Sequence, residues 1–531
     1  MSATEQLCPA ASMLADGDRP QPAKSRVSFD AYAWPLSLTF ISALLFLLNT
    51  RHGIGILPDS TRYLGVFEVP YDAPMYPWLL AAVCATGLSV DQAAELIGLG
   101  LACANTYLAW RLLIEATGRP VYAGSGTVLI ILAPQFVGFH STAMSEPLFF
   151  FFIFLSLLLL LRFWSSGNRA WLLGCSVAIG AAALTRFTAP PLGAAIVAGV
   201  LLNRREPLTR RIADALILFL LSSAIFFAWS FLSEMLVGHS LGREFALDGN
   251  VSEKTWHHSV ASLSAWLTPG VIPGSIRRIF FGLFAGCSVL LVGWQVGRTW
   301  QVPAGTKIAG RWLPAVLALF FVFYLAFFLV AALIEANQTL TSRYALPIYV
   351  TTVVMITIVL AEAHGEKGYV GRLHGLMLAI AALVLVGHVL RTADRTHKAF
   401  VHGIGYASKA WIHSPTMLAV ARLPSNVTIY SNGPDAITYV LRRSAHFIPM
   451  RELPRTGRPD PTDPFDKQIH DLSNDRTAGT KLFVFFDGVD WRFYLPSDAD
   501  LKQRLPLQLI DRETDGRIYI LKPPPLGDAK P

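Results

Sequence analysis

The feature that most constrains this chain is a series of uninterrupted apolar blocks, each about as long as the 20 residues an α-helix needs to cross a bilayer. They run at roughly 32–50, 91–112, 120–139, 146–163, 170–187, 190–202, 212–236, 279–297, 312–334, 344–361 and 375–390. In lipid every backbone N–H and C=O must be satisfied within the segment, so blocks of this kind fold as helices. The expectation is an all-α polytopic membrane protein with about eleven transmembrane helices. Of 531 residues, 53% are apolar and 15% charged, against about 25% charged in soluble domains. That balance excludes a disordered chain, a collagen-like fibre and a nucleic-acid-binding module. The block 190–202 is short and opens with Pro190-Pro191. Residues 170–202 are read as two helices because the loop charges then alternate.

Charge sets the orientation. With the N-terminus inside, Arg111, Arg119, Arg162, Arg169, Arg204, Arg205, Arg210, Arg211, Arg298, Lys307, Arg311, Lys367 and Arg372 fall in cytoplasmic loops, as the positive-inside rule asks. Residues 1–30 are polar, mixed in charge and rich in Ala and Pro, which suits a disordered cytoplasmic tail and not a signal peptide. The 5 cysteines form no disulfide or zinc pattern. Together with the Arg-rich loops, this points to a bacterial inner membrane.

The composition turns polar at about Arg391, and an odd number of crossings puts residues 392–531 outside. Segments 427–430 and 481–486 read as strands, and 432–443 as a helix with Asn432 as N-cap and Pro434 in its first turn. Asp515-Gly516 marks a turn between two short strands. These residues therefore make an extracytoplasmic α/β accessory domain without a catalytic signature; Asp498-Ala-Asp500 fits a sugar-nucleotide Asp-x-Asp pattern only formally. The transmembrane part is 31–391.

The stretch after the first block, Leu57-Pro-Asp59-Ser-Thr-Arg62-Tyr63-Leu64-Gly-Val-Phe-Glu68-Val-Pro-Tyr71-Asp72-Ala-Pro74-Met-Tyr76-Pro77-Trp78-Leu79, sets three carboxylates and an arginine at the outer interface. Asp59 with Ser60 and Thr61 could cap a short helix, and Glu68 and Asp72 could be solvated loop charges. The functional alternative is a carboxylate acting as general base for a hydroxyl, made more basic by partial desolvation. Arg62, Arg186 and Arg343 all lie beside acidic or aromatic residues at outer helix ends. Glu146 opens a Phe-rich helix, where an anion also suits the macrodipole. Arg186 sits among apolar residues, where an unpaired guanidinium costs about 2.5–3.5 kcal/mol. Its partner is Asp59, Glu146 or the phosphate of a lipid-linked sugar, with the phosphate favoured. His257 and His258 beside Trp256 are substrate-loop candidates, as is His140; adjacent histidines point apart and make a poor metal pair.

An acidic residue just after the first helix, followed by Tyr63-Leu64 and by Pro74-x-Tyr76-Pro77-x-Leu79, resembles the first external loop of the GT-C superfamily of polyprenyl-phosphate-dependent glycosyltransferases. The type is that of the protein mannosyltransferases and lipid A aminoarabinose transferases. The resemblance continues in Met144-Ser-Glu146-Pro-Leu-Phe149, Ala183-Leu-Thr185-Arg186-Phe187 and Ser342-Arg343-Tyr344-Ala-Leu-Pro347. It implies that loop 51–90 carries the catalytic acid residue, Asp59, with 75–88 as an interfacial helix. With the residues read above on their own chemistry, the substrate-binding candidates are Arg62, Glu68, Asp72, Tyr76, Glu146, Arg186, His257, His258, Arg343 and Tyr344. Ser60 departs from the pattern, since many members carry a second acidic residue there; this bears on whether a divalent cation, Mg or Mn, takes part.

The reading is an inverting membrane glycosyltransferase. It moves a sugar from a polyprenyl-phosphate carrier to a hydroxyl of a lipid, glycan or protein on the extracytoplasmic face. The rivals are a flippase of lipid-linked sugars and a non-catalytic envelope scaffold. No nucleotide-binding loop, His-Glu-x-x-His or Gly-x-Ser-x-Gly motif is present in the sequence.

Overall fold

The eleven apolar blocks all fold as helices in the structure, a computed structural model describing residues 30–67, 73–204, 206–237, 249, 253–302, 309–335, 339–454, 456–474 and 479–522. In chain order the helices are α1 (Asp30–Asn49), α2 (Pro58–Tyr63), α3 (Met75–Cys84), α4 (Val90–Thr117), α5 (Pro120–Ile131), α6 (Pro134–His140), α7 (Glu146–Ser166), α8 (Arg169–Thr185), α9 (Pro190–Leu202), α10 (Leu208–Val237), α11 (Glu253–Ser264), α12 (Gly274–Trp300), α13 (Ala309–Ile334), α14 (Ser342–Glu362) and α15 (Gly368–His402). The tail 1–29, Glu68 and Asp72 lie outside the described residues.

Local signals set the helix ends. A capping box opens α4: Gln92 N donates to Ser89 Oγ at 3.3 Å and Ser89 N to Gln92 Oε1 at 3.0 Å. Helix α4 stops where Gly118 turns left-handed at φ 64°. The block 120–139 is not the straight span expected of it: α5 and α6 meet at 66°, because Pro134 has no N–H to continue the ladder. Among the described residues, seven helices (α4, α7, α10, α12, α13, α14 and α15) are long and apolar enough to cross a membrane. The α5–α6 pair is an eighth if taken as one span, while α1, α8 and α9 are apolar but shorter.

The bundle is apolar on both sides. Phe149, Phe150, Phe154, Val350 and Val354 of α7 and α14 are buried, while Phe219, Phe227 and Phe231 of α10 stand more than half exposed. An apolar exterior of this kind suits lipid as solvent. Interhelical ion pairs collect the basic loop residues at one end: Arg162 with Glu115 at 2.9 Å, Arg169 with Asp214 at 2.9 Å, Arg311 with Glu362 at 3.0 Å, and Arg298 with Glu366.

At the other end of α15 the chain enters α16 (Lys409–Ile412), α17 (Pro415–Ala421), β1 (Thr428–Ser431), α18 (Pro434–Leu441), β2 (His446–Phe447), α19 (Phe465–Asn474), β3 (Lys481–Phe486), α20 (Asp498–Lys502), β4 (Leu507–Glu513) and β5 (Gly516–Leu521). The sheet order is β2-β1-β3-β5-β4. Strands β2, β1 and β3 run parallel, and β5 is antiparallel to both β3 and β4. Every residue of β3 is buried, as a central strand covered on both faces requires. Asn432 is not the N-cap of α18, a place taken by Gly433. Its amide instead ties β1 to the end of β3, donating to Phe486 O and accepting from Phe486 N, each at 2.9 Å. Asp498 and Asp500 are structural: Asp500 accepts from Ser497 in a capping box, and Asp498 accepts from Tyr519 Oη.

Candidate functional site

The segment before α2 threads between two backbone stretches. Gly55 N donates to Ser141 O at 2.9 Å, and Gly55 O accepts from Ala143 N at 2.9 Å. On the far side Tyr406 N, just past α15, donates to Ile56 O at 2.8 Å. A Cβ on Gly55 would lie 2.7 Å from Ile404 Cγ2 and 2.8 Å from Thr142 Cγ2, so glycine is what lets three segments meet. This lays α2 across the N-terminus of α7. From above, α18 packs on α2, and Phe447 meets Phe67 edge-on at 5.6 Å.

Four chain segments then converge. Asp59, in the first turn of α2, accepts from Arg62 Nη2 through Oδ1 at 3.0 Å and from Arg343 through Oδ2. Arg343 stands in the first turn of α14, and its Nε donates to Glu146 Oε1 at the start of α7. Arg186, the C-cap of α8, reaches the same oxygen at 2.8 Å and donates to Ser145 Oγ at 3.1 Å. The Tyr344 ring lies beneath both guanidiniums, 5.7 Å from Arg186 Cζ and 5.8 Å from Arg343 Cζ. Exposure falls with depth, from 25% for the Asp59 side chain and 23% for Arg343 to 10% for Arg186 and 2% for Glu146. Among the described residues, Arg343 Nη2 and Arg186 Nη2 make no hydrogen bond.

Two expectations change here. Asp59 does not cap α2; Leu57 is the N-cap, and Ser60 Oγ accepts from Leu57 N. Nor is Asp59 made more basic. Burial pushes its pKa up, but the charges of Arg343 and Arg62 outweigh burial and hold the carboxyl below its ordinary value.

The other candidates are placed as follows. Tyr76 is buried on α3 and meets the Tyr63 ring edge-on at 5.6 Å, so it supports the site from behind. His257 and His258 are exposed on α11, where His257 lies 3.3 Å from Glu253 of its own helix; the structure does not bring them into the cluster. His140 is a packed core residue, its ring between Phe136 O at 2.7 Å and Asn105 Nδ2 at 2.9 Å. Sequence reasoning passed over Ser145, which links Arg186 to the Tyr63 hydroxyl at 3.4 Å; its place beside Glu146 in the quoted motif was the available signal.

The carboxylates a divalent cation would need are Asp59 and Glu146. Arg343 donates to both, and among the described residues no group of three or more His, Cys, Asp or Glu is placed to hold a metal. As arranged, the pair is neutralised by guanidinium and does not fit a cation cage.

A family model described as dolichyl-phosphate-mannose-protein mannosyltransferase matches residues 70–230, the stretch carrying Glu146 and Arg186. Comparison with curated protein sequences returns no match. Among solved structures, ArnT from Cupriavidus metallidurans in the apo state superposes with a TM-score of 0.54 at 13% identity, covering 92% of this chain and 98% of that one. The fold is that of the GT-C glycosyltransferases. ArnT bound to undecaprenyl phosphate gives a TM-score of 0.53 at 13% identity, with coverage of 92% and 98%. AglB from Archaeoglobus fulgidus, in complex with an inhibitory peptide and a dolichol-phosphate, gives 0.52 at 11%, covering 87% of this chain and 70% of that one. Within this GT-C fold the cluster lies at the end of the bundle opposite the basic loops, on the same side as the sheet.

Proposed function

We propose that the protein is a membrane glycosyltransferase that moves a sugar from a polyprenyl-phosphate carrier to a hydroxyl acceptor, with inversion, on the extracytoplasmic face. The observation carrying this reading is the convergence of Arg186 and Arg343 on one buried carboxylate oxygen beside Asp59. Two guanidinium forks with N–H groups to spare form a phosphate clamp at the depth where a lipid headgroup enters. Solved relatives of this fold bound to undecaprenyl phosphate and dolichol-phosphate support the choice of carrier.

Asp59 takes the proton from the acceptor hydroxyl, whose oxygen attacks the anomeric carbon from the face opposite the phosphate. The bond from that carbon to the phosphate oxygen breaks, and the arginines stabilise the leaving charge. We further propose that α1, the α5–α6 pair, α8 and α9 complete eleven crossings, with the basic end cytoplasmic and residues 392–531 as the outer domain.

The test is transfer from a panel of radiolabelled polyprenyl-phosphate sugars to membrane lipids, glycans and proteins, comparing purified wild type with Asp59→Asn. Transfer by wild type, reduced at least about 100-fold in a folded mutant, is expected for loss of a general base. Movement of labelled lipid across vesicles with no new glycosidic bond would make the protein a flippase.

A further inference from the structure

One guanidinium serves both carboxylates of this site. Arg343 gives Nε to Glu146 and Nη1 to Asp59 Oδ2, while Arg62 takes Asp59 Oδ1 at 3.0 Å. A carboxylate with a guanidinium on each oxygen is held in its charged form and accepts a further proton poorly. The N–H groups best placed for a phosphate are therefore partly spent on the base itself.

We propose that the donor's phosphate displaces Asp59 from Arg343, so that the base is released only once the donor is in place. The inference rests on the reading of the site as a lipid-phosphate sugar transferase. Arg343 Nη2 and Arg186 Nη2 offer the incoming phosphate its first contacts. A phosphate presents several oxygens to the two forks together and matches their bidentate geometry, whereas Asp59 engages Arg343 through a single N–H. Arg343 Nη1–H then passes from Asp59 Oδ2 to a phosphate oxygen with no covalent change.

Arg62 stays on Oδ1 and keeps the freed carboxylate oriented. The acceptor's proton next goes to Asp59 Oδ2 and its oxygen bonds to the anomeric carbon. The carbon–phosphate-oxygen bond breaks with its electron pair moving onto the phosphate, which Arg343 and Arg186 already hold. Donor precedes acceptor, and the acceptor is not activated in an empty site.

The experiment is equilibrium binding of undecaprenyl phosphate to the purified full chain in one detergent–lipid mixture at pH 7. Four proteins are compared: wild type, Asp59→Asn, Arg343→Gln and the double variant, with Arg343→Lys in place of Arg343→Gln if that variant does not fold. Exchange predicts that Asp59→Asn binds the lipid phosphate at least about fivefold more tightly than wild type, while losing transfer. It also predicts that this gain disappears when Arg343 is already absent. A gain of equal size in both backgrounds would be through-space repulsion and would overturn the exchange, as would weaker binding by Asp59→Asn. If no variant and not the wild type binds, the lipid-phosphate reading itself fails; binding without coupling sinks only the exchange.

Discussion

Glu146 is 2% exposed, takes two guanidiniums on Oε1 and leaves Oε2 buried without a hydrogen-bond partner. Removing Arg186 leaves this buried carboxylate with Arg343 as its remaining guanidinium, so the cost is that of a hydrogen bond to a charged group, about 1.5–3 kcal/mol, and not that of a wholly unpaired buried charge. Arg186→Met is therefore expected to destabilise by that amount, and Arg186→Lys by less, read from thermal unfolding in a fixed detergent. Asp59 sits nearer the surface, and its sign can be worked out. Its folded pKa is depressed by Arg343 and Arg62 against the opposing effect of burial. Its ion pairs therefore contribute fully above the unfolded carboxylate value of about 3.9 and are lost as pH falls through the lower folded value. Wild-type stability should lose nothing through Asp59 between pH 7 and 5. If the donor takes Arg343, the acid limb of kcat, which reports the loaded enzyme, should lie at higher pH than that of kcat/KM for the donor. Coincident limbs would contradict it. How basic Asp59 is could not be judged from its neighbours in the chain, because Arg343 lies 284 residues away.

At the scale of elements, the helices were legible because lipid burial writes itself as long apolar runs, and β1, β3 and the β4–β5 turn because their patterns are local. Pro134 was visible too, but the 66° bend between α5 and α6 needed the packing around it. Gly55 shows the same limit: its sequence neighbours say nothing of Ile404 and Thr142, which touch the missing Cβ. Gly55→Val should push α2 away from α7 and cost about 1–3 kcal/mol by overpacking. Its transfer rate should fall further than Gly100→Val, where a Cβ meets nothing. In the sheet domain Arg492 and Asp435 form a pair at 2.7 Å, each side chain 3% exposed, with Tyr406 Oη donating to Asp435 at 2.9 Å. Arg492→Met should destabilise by about 3–5 kcal/mol. Because Tyr406 is bonded to both Asp435 and Ile56, transfer should fall with it; unchanged transfer in a destabilised variant would uncouple the sheet from α2.

Over the whole molecule, α15 is 35 residues long, about 50 Å at 1.5 Å per residue, and separates the end of the basic ion pairs from the end of the cluster. Cysteines introduced at Lys367 and Asp490, in a background without the native five, should label from opposite faces with a membrane-impermeant thiol reagent. Labelling from one face would overturn the topology. The sequence by itself determined that this chain lives in a membrane, where its helices fall and which residues carry charge out of place, since the hydrophobic effect and backbone satisfaction act on contiguous segments. Only the tertiary structure decided that Asp59, Glu146, Arg186 and Arg343 share one site, that His140 and Tyr76 belong to the packing and that His257 and His258 stand apart. Those outcomes depend on electrostatics and contacts falling off over a few ångströms in space, a distance that spacing along the chain does not report.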